Sequence, residues 1–173
     1  MRLTWTSVMA AGLLAVSATP ARAQNEFQWR GRLSSGQTIE IKNINGAISA
    51  SSSSSGDVEV VATKTARRSN PADVRIEVVP GSKGMTICAV YPSVPGKEPN
   101  VCAPGDEGHM NTQNNDTQVH FEVRIPAGVN FVPSHWTTPR SVPTQSFGPT
   151  SASRALILVS GRPFATALTF PPE

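Results

Sequence analysis

The sequence predicts an all-β fold built from stacked strands. Three observations carry that prediction. Apolar and polar residues alternate with the two-residue period of a half-buried strand in Thr38-Ile39-Glu40-Ile41 and again from Val119 to Ile125. Gly46-Ala47-Ile48-Ser49-Ala50 recurs ten residues later as Gly56-Asp57-Val58-Glu59-Val60. A glycine that turns the chain and then gives way to in-and-out alternation is the signature of a β-coil or meander. No stretch beyond the first 23 residues sustains helical periodicity.

The elements follow in order. Phe27 to Leu33 alternates large apolar with polar residues and reads as a first strand, with Trp29 in the core. Ser35-Gly36 turns it into Gln37 to Lys42, with Ile39 and Ile41 inward. Asn43-Ile44-Asn45-Gly46 offers a hairpin turn, because Asn-Gly tolerates the positive φ of the primed types. Ala47 to Ala50 is a third strand, and Ser51 to Ser55 reads as a low-complexity linker. The β-branched run Val58 to Thr65 is the fourth, followed by the basic turn Arg67 to Pro71. Asp73 to Val79 and Met85 to Tyr91 flank a turn at Pro80 to Gly84. Pro92 to Asn115, rich in Pro, Gly and Asn, is a long excursion. Thr117 to Ile125 is a seventh strand, and Pro126-Ala127-Gly128 turns it into Val129 and Phe131.

Beyond Phe131 the pattern stops. Residues 133–173 contain no Asp, no Lys and many prolines, which withhold the N–H groups strands need. Only Ala155 to Val159 reads as a strand there. Two readings fit the change: a frameshifted or otherwise replaced tail, and a divergent proline-rich tether. The chain thus divides into 1–23, 24–132 and 133–173.

The first part reads as a cleaved secretory leader. Arg2 starts it, Val8 to Val16 is a short apolar stretch, and Ala21-Arg22-Ala23 is a small-x-small cleavage site before Gln24. The apolar stretch is well short of the roughly 20 residues of a spanning helix. Export to the periplasm, cell surface or medium is therefore expected, with no integral span in the mature chain. Without Arg2 and Arg22 the basic residues number 13 against 12 acids, and no basic cluster suggests a nucleic-acid partner.

The two cysteines, Cys88 and Cys102, both fall in the exported part, where an even count favours a disulfide. A loop of that length is stabilised by about 3 kcal/mol in the chain-entropy argument. Two buried thiols are the alternative; a metal site would need further ligands, and no Cys or close His pair supplies them.

Catalytic constellations are not evident. There is no Gly-x-Ser-x-Gly elbow and no Ser-x-x-Lys, and His109, His120 and His135 lie on separate segments. Asp106-Glu107-Gly108-His109, with Asn111, Asn114, Asn115 and Asp116 nearby, is the one oxygen-rich cluster, but it lacks the regular Asp-x-Asp-x-Asp-Gly series of a calcium loop. A polar turn-forming loop explains the same residues. No catalytic residue, metal or cofactor is expected.

The ordered set Phe27-x-Trp29-x-Gly31-x-Leu33, Gly36-x-x-Ile39-x-Ile41-x-Asn43-x-Asn45-Gly46-x-Ile48 and Gly56-Asp57-Val58-Glu59-Val60 resembles a bacterial family of exported, adhesin-like domains of unknown function. Val123-Arg124-Ile125-Pro126-Ala127-Gly128-Val129 is similar to the segment leading into that family's repeats. The resemblance covers about residues 27 to 131. It implies an antiparallel, sandwich-like lead-in module feeding a β-solenoid, here short or truncated because no Asn-Gly-Asp rungs follow. It also implies a non-catalytic role in surface adhesion, envelope structure or protein interaction, with an unidentified protein or envelope-surface partner. The alternative is a small ligand-binding module with the Cys88–Cys102 loop as its rim; that reading requires a closed apolar pocket beneath the loop.

Overall fold

A computed structural model describes residues 25–136 and the backbone at 145–146 and 154–159. The leader and its cut between Ala23 and Gln24 lie outside the described residues. Among the described residues ten strands form: β1 Glu26–Gly31, β2 Thr38–Asn43, β3 Gly46–Ser53, β4 Val58–Thr65, β5 Arg75–Gly81, β6 Gly84–Val90, β7 Gln118–Pro126, β8 Asn130–His135, β9 Gln145–Ser146 and β10 Arg154–Val159. They make two five-stranded sheets, ordered β1-β4-β7-β3-β10 and β5-β6-β2-β8-β9. The only helical turn among the described residues is a short 3-10 segment, Pro71–Asp73, whose N-cap Asn70 accepts a hydrogen bond from the Ala72 N–H.

The alternation read from the sequence sets what lies inside. In the first sheet Ala62, Phe121 and Ile48 stand side by side across β4, β7 and β3, with Val60, Val123 and Ala50 as the next row. In the second sheet Ile41 stands between Ile87 of β6 and Pro133 of β8. These rows are buried in one hydrophobic core, and Phe121 and Phe131 are among its largest members. Phe27 and Trp29 only partly reach it, because β1 is an edge strand.

The strand order differs from the expected antiparallel arrangement. β2 runs parallel to both β6 and β8, and β3 runs parallel to β7. The cause lies in the turns. Asn43 to Gly46 does not close a hairpin: it is a corner that carries the chain from one sheet to the other, as β2 and β3 belong to different sheets. The Asn43 amide donates to the Val119 carbonyl and the Asn45 amide to the Thr117 carbonyl, stitching the corner to the start of β7. Gly46 has a φ of +113°, and a Cβ there would fall on the Val119 carbonyl. Pro126 to Val129 forms the equivalent corner between β7 and β8.

Two further expectations are corrected. Ser51 to Ser53 belongs to β3 rather than to a linker, because their backbone pairs with Arg124, Ile125 and Pro126 of β7. Pro133 lies inside β8 despite its missing donor. Asn130 and Trp136 donate their N–H groups to Gln37 and Asn43 on the β2 side, so even-numbered residues face β2 and Pro133 faces away from it. No extended stack of repeated rungs occurs among the described residues: β1–β4, β4–β7 and the β5–β6 hairpin are antiparallel, which breaks a continuous coil.

Candidate functional site

β2 places Ile39 and Ile41 on the core side and Glu40 and Lys42 on the other, where simple alternation predicts solvent. Instead every residue from Ile39 to Asn43 is buried. The long excursion after β6 folds back over the outer face of the second sheet and covers it. Cys88, paired in register with Lys42, anchors it through a disulfide to Cys102, with a Cα–Cα distance of 5.8 Å. Of the two states open to these cysteines, the paired one is therefore the one adopted.

Beneath the excursion lies a polar cluster. Lys42, 2% exposed, donates to the Ala103 carbonyl at 2.7 Å and to the Gly105 carbonyl. Its ammonium sits 4.7 Å from the centre of the Trp136 ring and 3.6 Å from the Glu40 carboxylate. Glu40 accepts from the Thr86 hydroxyl at 2.9 Å and from the Gly105 N–H at 3.1 Å. A buried cation is tolerated only when its partners replace water, and here two carbonyls, a carboxylate and a ring face do so. Gly108 packs where a Cβ would meet Trp136 and the backbone of Val101 and Ala103. The space below the loop is filled by side chains.

The other singled-out residues are dispersed. His120 on β7 accepts at Nδ1 from the Ala47 N–H at 3.3 Å. His135 lies in β8, its Nε2 hydrogen-bonded to the Ile44 carbonyl; burial lowers its pKa, with the carbonyl opposing. His109 is held by a two-way backbone bridge to Val101, and its ring stands 3.9 Å from Glu98. Asp106 and Glu107 are exposed, whereas Asp116 turns away to accept from the Ser69 and Arg68 N–H groups. Those bonds, Ser69 first, hold the Asp116 carboxyl down at about 2. Among the described residues no three His, Cys, Asp or Glu side chains converge as a metal site. An open polar groove of about 730 Å3 lies beside Asp116, lined by Arg68, Asn70, Asp73 and Asn114 among others.

The outer face of the first sheet carries a charged row. Arg30, Glu59, Arg124 and Ser51 share one row across β1, β4, β7 and β3. Glu59 pairs with Arg30 and, at 3.6 Å, with Arg124, and the Arg30 guanidinium holds its carboxyl below the usual range. The sequence reading missed both this row and the buried Glu40–Lys42 couple. The register that creates the row is fixed by the long-range β4–β7 pairing, which no local pattern announces.

No family model, curated protein or solved structure matches the chain. The geometry therefore has to carry the functional reading by itself.

Proposed function

We propose that the protein is an exported, non-catalytic β module that acts through its surface, in adhesion, envelope structure or protein interaction. The observation that carries this reading is the filled space beneath the Cys88–Cys102 loop, where Lys42, Glu40 and Trp136 occupy the volume a ligand would need. These side chains speak against the alternative, a ligand-binding module with that loop as rim, because they take up the space it would use. The broad polar face of β1, β4, β7 and β3 remains as the contact surface. Export is supported by the disulfide, which persists in oxidising compartments. No helix among the described residues is long and apolar enough to cross a membrane.

The finer reading, as an adhesin-like lead-in to a short solenoid, is supported by the two sheet-switching pairs. β2–β3 and β6–β7 each step from the second sheet to the first, and they stack in parallel as successive coils do. Cellular photo-crosslinking tests the functional reading. A photoreactive residue at Glu122, on the polar face, should capture an envelope protein, while one at Asn111 on the loop should not. Capture from Asn111 alone, or of a small metabolite, contradicts it.

A further inference from the structure

β1 closes one end of the first sheet, and among the described residues it pairs with β4 alone. Its other side is an open edge. One bond fixes which groups line that edge: the Lys64 N–H donates to the Asn25 carbonyl at 2.8 Å, so the odd-numbered residues of β1 bond to β4. Glu26, Gln28 and Arg30 therefore turn their backbone N–H and C=O groups outward. Charged side chains usually guard such an edge against stray strands. Here they are one acid and one base, placed symmetrically about Gln28 with an aromatic residue on each side: Glu26-Phe27-Gln28-Trp29-Arg30. That order is complementary to its own reverse. β5, at one end of the other sheet, holds Pro80, and its Arg75 and Glu77 already pair with each other at 3.1 Å.

We infer that the β1 edge is a self-pairing interface, occupied by β1 of a second copy in an antiparallel register centred on Gln28. That centre sets Gln28 opposite its own counterpart and, at both ends, Glu26 opposite Arg30 of the other copy. All of these are outward-bonding positions, so each pair exchanges N–H···O bonds. Phe27 meets Trp29 of the second copy at the positions between, where side chains approach closest. Both aromatic side chains are only partly buried in one chain, and the pairing extends their burial. The charges fit across the sheet as well. Arg124, Glu59 and Arg30 share one row and alternate in sign, with Glu59 bonded to Arg30 and 3.6 Å from Arg124. The next place in that row belongs to Glu26 of the second copy, which continues the alternation. The Arg30 side chain is 63% exposed, and its guanidinium has donors for two carboxylates. A strand with another charge order would set like charges face to face. The contact is isologous, so it closes at a dimer, with the charged rows of the two copies side by side on one face.

Sedimentation of the full chain across about 1 µM to 1 mM, a span that covers weak and ordinary association constants, should show a monomer converting to a dimer. Glu26→Arg sets like charges against Arg30 at both ends of the contact and should raise the dissociation constant at least about tenfold at low salt. Because Glu26 is exposed, the thermal midpoint of that variant in dilute solution should match the wild type, which separates lost pairing from lost fold. Gln28→Cys locates the axis. Opposed Cα atoms about 5.5 Å apart suit a disulfide. In a glutathione redox buffer it should therefore give at least about tenfold more covalent dimer than Glu122→Cys, which is exposed in the middle of the same face. A chain that stays monomeric throughout leaves the edge to some other strand and overturns the proposal. A dimer that Glu26→Arg leaves intact, or that Gln28→Cys fails to lock, forms elsewhere on the molecule and overturns it too.

Discussion

At Gly46 the backbone takes a φ of +113° with the Val119 carbonyl where a side chain would begin, so two penalties meet at one residue. Gly46→Ala should destabilise the fold by more than about 1 kcal/mol, read as a lower denaturation midpoint with unchanged slope; an unchanged midpoint would show the corner is not built this way. Asp116 makes a different kind of prediction. Its carboxyl drops from an ordinary 3.8 to about 2 in the fold, so the folded state binds fewer protons than the open chain between those values. The stability it contributes is complete above pH 3.8 and is lost as pH falls toward 2. Thermal unfolding across that window should decline more steeply for the wild type than for Asp116→Asn, and parallel curves would contradict the assignment. In the sequence Asp116 reads as part of a polar loop; its partners Arg68 and Ser69, 48 and 47 positions away, are invisible to local reading.

Single strands were the most legible level. β4 and β7 follow from alternation and β-branching alone, since Val58, Val60 and Ala62 face Val123 and Phe121 in one register. Turn residues were legible as turns but not as corners, because a primed hairpin and a sheet switch both ask for Asn-Gly at the same place. The excursion after β6 is legible in the sequence as a loop tied by its cysteines. Its consequence, the burial of Lys42 and Glu40, depends on the loop lying over β2, and no residue in β2 signals that. Removing the tie with Cys88→Ser/Cys102→Ser should cost about 3 kcal/mol, on the order of 10 °C in midpoint, while far-UV β signal persists at low temperature because the Lys42 and Glu40 bonds to the loop remain. Loss of that signal would mean the disulfide holds the sheets themselves.

For the molecule as a whole, parallel neighbours within each sheet decide the character of the fold. β6, β2 and β8 run the same way in one sheet, as β7 and β3 do in the other, which local alternation alone cannot distinguish from a meander. The tail was legible only in part. Ala155 to Val159 announces a strand by its apolar run, whereas Pro133 in β8 is admitted solely because its ring faces away from β2. The resulting body is a sandwich with the outer face of its second sheet covered by its own loop.

Acylation of lysines, resolved by residue, tests that closure most directly, because the four lysines divide cleanly by burial. Under oxidising conditions an amine-reactive ester should modify the exposed Lys83 and Lys97 at least tenfold faster than Lys42, which is enclosed by the Ala103 and Gly105 carbonyls and Trp136. Lys64, buried and donating to the Val74 carbonyl, should also lag, which shows that the sandwich itself is intact. Lys42 reacting as fast as Lys97 while Lys64 stays protected would mean the loop stands open over an accessible site, and the account of a closed, surface-acting module would be wrong.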